Sequence, residues 1–168
     1  MKTLIKNAIC TPHLTGGEGA QQVKINVLIE DSYVVQVSEN DIAGNFEQVI
    51  DASGLFLSPG LVDPQVHFRE PGMEYKEDIE SGSKAAVKGG FTSVISMPNT
   101  SPTADNPNVI KYMLETARSK GLCKVYPTGA LSMELKGQTL SDYEALKNAG
   151  AVAITDDGKG VQDGNLFE

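Results

Sequence analysis

Four apolar runs at a common period constrain this chain more than any other feature. They begin at Leu61, Phe91, Leu122 and Ala151, with spacings of 30, 31 and 29 residues. Glycine precedes the last three, at Gly89-Gly90, Gly121 and Gly150. Glycine readily takes the left-handed conformation that ends a helix just before the chain turns into a strand. Helical patterns lie between the runs. In Lys76–Lys88, Ile79, Ser83, Ala86 and Val87 share a face, and Glu77, Asp78 and Glu80 favour the positive N-terminal end. Asn106 reads as an N-cap and Pro107 as a first helical residue, ahead of an apolar stripe of Val109, Ile110, Met113, Leu114 and Ala117. A third helix is expected over about Ser141–Asn148, after a cap-like Thr139-x-x-Asp142 start. Strand, helix, glycine and strand at this period predict an α/β fold with a parallel sheet, as a barrel or a doubly wound sheet.

A closed eightfold barrel needs about 250 residues, whereas this chain has 168. Four units over 59–168 therefore predict the N-terminal half of a (β/α)8 barrel. Such a half leaves an apolar face and an edge strand uncovered, so alone it is expected to be inactive and poorly soluble. Residues 1–58 read as a β-rich satellite segment. Short strand-like stretches occur at Thr3–Ala8, Val23–Glu30, Tyr33–Val37, Val49–Asp51 and Leu55–Leu57, separated by turn signals. They predict a small, mostly antiparallel sheet. The alternation of Val23, Ile25, Val27 and Ile29 predicts a strand with one buried and one wet face.

Charge and composition exclude several classes. A net charge of −8 with scattered charges offers no footprint for nucleic acid or an anionic membrane. No apolar run approaches the roughly 18 residues of a membrane helix. The opening MKTLIKNAIC is broken by Lys6 and Asn7 and is no signal peptide. Cys10 and Cys123 have no metal-site spacing and read as reduced, buried thiols of a cytoplasmic protein. Gly16–Gly19 and Gly158-Lys159-Gly160 lack the phosphate-loop pattern, so no nucleotide cofactor is implied.

Polar residues gather where the runs end. The ends are His67-Phe68-Arg69, Met97-Pro98-Asn99-Thr100, Pro127-Thr128-Gly129 and Thr155-Asp156-Asp157-Gly158. Parallel strands would bring all four to one rim, where barrel enzymes carry their chemistry. Imidazole and carboxylate are ligands for zinc-like metals. Arginine is the fork that holds a substrate carboxylate. Each residue also has a plainer role open to it. His67 could be structural, Arg69-Glu70 a rim ion pair, Asn99 a loop cap, and Asp156-Asp157-Gly158 a turn. Their convergence at one period favours a site.

The segments PGLVDPQVHFREPG, KEDIESGSKAAVKGGFTSVISMPNTSP and LKNAGAVAITDDG, in this order and at these separations, closely resemble the class I dihydroorotases of the amidohydrolase superfamily. The resemblance covers almost the whole chain. It implies reversible cyclisation of N-carbamoyl-L-aspartate to dihydroorotate, the third step of pyrimidine synthesis, in a cytoplasmic, homodimeric, zinc-dependent enzyme with a small-molecule substrate. By position, His67 matches the second histidine of the family's HxH metal pair. Asp157 matches the carboxylate that ligates or bridges metal. Arg69 and Asn99 match the residues that hold the substrate carboxylate. Other branches bridge the metals with a carboxylated lysine, but Lys159 has the wrong offset and reads as solvated. Asp63 reads as a supporting residue, and His13 as structural or solvated. The family's remaining ligands and its general base come from later strands, so the base is expected beyond residue 168.

Gln65 departs from the pattern, standing where the first histidine belongs. A carboxamide oxygen is a poor zinc ligand beside imidazole, which leaves one or two ions open. Gln65 also motivates a second reading, a non-catalytic scaffold subunit for aspartate transcarbamoylase. A third reading is another cyclic amidase, an allantoinase or hydantoinase; allantoinases share the EPG segment.

Overall fold

In a computed structural model of the chain, residues 1–10 and 22–167 are described, the last without its side chain. His13 and Gly16–Gly19 lie outside the described residues. The chain divides into two compact units, Met1–Pro59 and Gly60–Glu168.

The first unit is a four-stranded sheet. Its strands are β1 (Lys2–Cys10), β2 (Val23–Glu30), β3 (Tyr33–Ser38) and β4 (Gln48–Asp51), in the order β3-β2-β1-β4. The β1–β2 and β2–β3 pairs are antiparallel, and β4 joins β1 in parallel. The expected strand at Leu55–Leu57 reduces to a single bridge between Phe56 and Ile9. The expected wet face of β2 is not wet at its centre. Ile25 and Val27 pack with Ala8, Cys10 and Ala52, while Leu28 packs with Leu4 and Ile42 in a separate cluster. Asn26, also buried, is satisfied by accepting the Asn7 N–H (3.0 Å) and donating to the Asn40 carbonyl (3.1 Å). A buried amide of this kind stays only because both ends find partners.

The second unit is a parallel β/α repeat. Strands β5 (Leu61–Val66), β6 (Phe91–Ser96) and β7 (Lys124–Pro127) form a parallel sheet in sequence order. Helices α1 (Ile79–Lys88), α2 (Pro107–Lys120) and α3 (Tyr143–Ala149) follow them in turn. Helix α1 starts later than the apolar pattern implies. The Asp78 carboxylate caps it by accepting the Ser81 N–H at 2.7 Å, which holds that carboxyl below its ordinary range. Helix α2 begins as its sequence predicts, with Asn106 accepting from Asn108 and Val109 and Pro107 in the first turn. Asp142 caps α3 through the Ala145 N–H (2.9 Å).

Gly150 closes α3 in the left-handed region, at φ 110°. Gly121 does not do this for α2: at φ −68° its backbone is extended, and its N–H still reaches the Ala117 carbonyl.

Helices and sheet enclose a core of Phe68, Ile79, Val94, Val109, Ile110, Met113, Val125 and Leu146. Cys10 is buried, but Cys123 is only half-buried, against the expectation for both. Both thiols are free, and burial raises both pKa values.

The fourth apolar run does not form a full strand. It lies beside β7 through one parallel bridge, Ile154 to Gly129, with the Val152 N–H on the Pro127 carbonyl (3.0 Å) and the Thr155 N–H on the Gly129 carbonyl (3.0 Å). β7 is only four residues long and ends in proline, which has no N–H to give its neighbour. Leu61 and Val62 in β5 and Val152 in the fourth run remain 49%, 59% and 51% exposed. The repeat is thus an open parallel array with its sheet incompletely covered.

Candidate functional site

Of the four run ends expected at one rim, those of β5, β6 and the fourth run meet, while Thr128, after β7, is buried and donates to the Ser96 carbonyl (2.8 Å). His67 directly follows β5, and Gln65 lies two residues earlier. Asn99 lies three residues beyond the end of β6, and Asp157 two residues beyond the Thr155–Gly129 hydrogen bond.

Their side chains meet at Asp157. Its Oδ1 accepts the Gln65 Nε2–H at 3.0 Å, and its Oδ2 accepts the Asn99 Nδ2–H at 3.0 Å. The Asp157 N–H donates to Thr155 Oγ1 at 2.9 Å, in a turn whose φ of 55° places Asp157 in the left-handed region. The His67 Nδ1 lies 3.1 Å from Asn99 Oδ1, 3.0 Å from Asn99 Nδ2 and 4.0 Å from Asp157 Oδ2. The Asn99 amide carries two N–H groups, so with one on Asp157 the His67 Nδ1 either donates to Oδ1 or accepts the second N–H from Nδ2. In the tautomer with Nδ1 donating, His67 Nε2 keeps the lone pair that a metal requires.

Supporting residues fix these positions. Asp63 Oδ1 accepts the Gln65 N–H at 3.0 Å, a local turn that holds the backbone beneath the Gln65 carboxamide. Glu70 is not the rim partner of Arg69. It is buried, and its carboxylate accepts the Ile79 N–H (2.9 Å) at the start of α1 and the Tyr112 hydroxyl (3.2 Å) on α2. Among the described residues the Arg69 guanidinium makes no ion pair or hydrogen bond. Its backbone takes a positive φ of 62°, in the loop leaving β5. Lys159 is exposed, as expected.

Asp156 has a task that its sequence context does not announce. It is 5% exposed and accepts the Ser132 N–H at 2.9 Å and the Ser132 hydroxyl. It thereby ties the loop after β7 to the fourth run. Tyr143, on α3, donates to the Leu131 carbonyl in the same loop (3.0 Å). Burial, with the nearby Asp156 charge, pushes the Tyr143 phenol above its ordinary pKa. Asp156 therefore braces the turn that presents Asp157.

The donor set fits a metal only in part. An imidazole and a carboxylate are sound ligands for a zinc-like ion. Gln65 presents an N–H to Asp157, which is the wrong polarity for a cation. Among the described residues no three His, Cys, Asp or Glu side chains gather at one point. His67 and Asp157 can supply two ligands to an ion whose remaining donors are not in this cluster.

Comparison with known proteins now places the chain. Its fold is shared with hydantoinases of known structure. An L-hydantoinase (dihydropyrimidinase) from Arthrobacter aurescens superposes with a TM-score of 0.75 at 23% identity, over 90% of this chain and 32% of that one. A dihydropyrimidinase from Brevibacillus agri gives 0.64 at 24%, over 92% and 40%. These likenesses speak to the fold alone: a partial TIM-type barrel accompanied by a separate sheet.

Sequence is more specific. Residues 54–168 match the family model described as dihydro-orotase-like, and the chain belongs to that family. Dihydroorotases from Aquifex aeolicus and Ruminiclostridium cellulolyticum are 42% and 48% identical over 99% and 100% of this chain. One from Desulforapulum autotrophicum is 53% identical over 70% of it. The chain spans 38% of the length of each of the first two relatives and 28% of the third.

Proposed function

We propose that this chain is the N-terminal part of a dihydroorotase, catalysing the reversible, metal-dependent cyclisation of N-carbamoyl-L-aspartate to dihydroorotate in pyrimidine synthesis. The observation that carries the reading is the meeting of His67, Asn99 and Asp157 within hydrogen-bonding reach at the ends of β5, β6 and the fourth run. Identities of 42–53% to dihydroorotases support it over the hydantoinase and allantoinase readings. The hydantoinase likeness is one of fold.

In this reading His67 and Asp157 are ligands of a zinc ion. A bound zinc supplies Lewis acidity toward the amide carbonyl. The chain's own residues supply position. Asn99 fixes the His67 ring and the Asp157 carboxylate relative to each other. Arg69, free of any protein anion among the described residues, takes the substrate carboxylate in this reading through its two-pronged guanidinium. Holding the carboxylate orients the rest of the substrate toward the reacting centre, and orientation is itself a source of rate.

The test is turnover of dihydroorotate, allantoin and hydantoin by the full-length protein. Preference for dihydroorotate supports the reading. Preference for either of the others sinks it, and failure with all three points instead to the scaffold role beside aspartate transcarbamoylase.

A further inference from the structure

Gln65 and Asp157 lie 92 positions apart in sequence, yet the carboxamide of one holds the carboxylate of the other at 3.0 Å. Gln65, in β5, and His67, just beyond its end, both approach Asp157, at 3.0 Å and 4.0 Å. A nitrogen or oxygen donor at position 65 would therefore complete a set of three with His67 and Asp157. Three protein ligands with an open fourth position is the usual composition of a catalytic zinc site. The carboxamide breaks that set in two ways. It faces Asp157 with its N–H, which repels a cation, and its oxygen is a weak donor beside imidazole. With Asn99 Nδ2 on Oδ2, both oxygens of Asp157 already accept an amide N–H. Each oxygen keeps a second lone pair, so Asp157 can still join His67 on one ion, but Gln65 adds no donor for another.

We propose that Gln65 is a clamp that closes one metal position at this site, so that the centre takes one ion fewer than the same protein with a metal-binding side chain at position 65. The inference rests on reading His67 and Asp157 as metal ligands. The exclusion is local, set by the polarity of one side chain, because every other part of the cluster stays as it is.

The experiment measures zinc per chain by elemental analysis in the full-length protein, in Gln65→His and in Gln65→Glu. The glutamate variant keeps the size and shape of glutamine, so it guards against a failure of the bulkier histidine to fold. It exchanges an N–H donor for a carboxylate oxygen. Without an ion it also sets two carboxylates face to face, so chelator should lower its melting temperature more than that of the natural protein.

An additional ion per chain in either variant, with unchanged circular dichroism, is the expected result. Folded variants that hold no more zinc than the natural protein would overturn the proposal. Dihydroorotate turnover by the natural protein is recorded alongside. It reports on the enzyme reading whatever the ion count, so the two ideas can fail separately.

Discussion

Asp156 and Asp157 are adjacent, yet they face different partners. Asp156 is buried against Ser132, while Asp157, turned by its positive φ, reaches Gln65 and Asn99. Arg69 is the proposed substrate-binding residue, and the one most separable from folding, since no protein anion among the described residues depends on it. Loss of a charge-assisted hydrogen-bonded pair costs about 1.5–3 kcal/mol. Arg69→Ala should therefore raise KM for dihydroorotate by about 10- to 100-fold. Arg69→Lys should recover little of this, because an ammonium lacks the planar fork. Steady-state kinetics on the full-length protein decides it, and an unchanged KM in Arg69→Ala would remove Arg69 from the substrate site.

The elements position the site by close packing. Helix α1 lies against the loop that carries His67 and Arg69, and Gly82 is the point of closest approach. A Cβ there would sit 2.4 Å from Phe68 Cε1. Alanine is favoured over glycine inside a helix by about 1 kcal/mol, but overpacking a tight core costs about 1–3 kcal/mol. Phe68 is buried in the core cluster and has little room to yield. Gly82→Ala should thus lower the melting temperature by a few degrees, and a rise would show that the contact relaxes freely.

What was legible at this scale is what is local. The Asn106-Pro107 start of α2 is set by residues within one turn and stands where the sequence puts it, whereas α3 starts at Tyr143 with Asp142 as its cap, two residues after the expected Ser141 and without Thr139 as the cap. The fourth strand was not legible, because a strand depends on its neighbour, and β7 ends in Pro127. The buried centre of β2 was hidden for the same reason. Alternation describes one face, whereas Leu4 and Ile42 cover the other. At the site, the strand-end positions could be read from the period. The Gln65–Asp157 pairing and the bracing of Asp156 by Ser132 could not, since both depend on contacts far apart in sequence.

At the scale of the molecule, the parallel repeat gathers its chemistry at the carboxyl ends of its strands, as barrel enzymes do. Its exposed Leu61, Val62 and Val152 are what an incompletely covered parallel sheet presents. No helix among the described residues is long and apolar enough to cross a membrane. The central claim is that side chains from the ends of β5, β6 and the fourth run act as one site. A double-mutant cycle on dihydroorotate turnover tests it most directly, using Asn99→Ala, Asp157→Ala and both together in the full-length protein. Residues that work as a unit are not additive. The account predicts a large loss in each single variant and a double variant little worse than the poorer single one. Losses that simply add, or a single variant with natural kcat/KM, would contradict it.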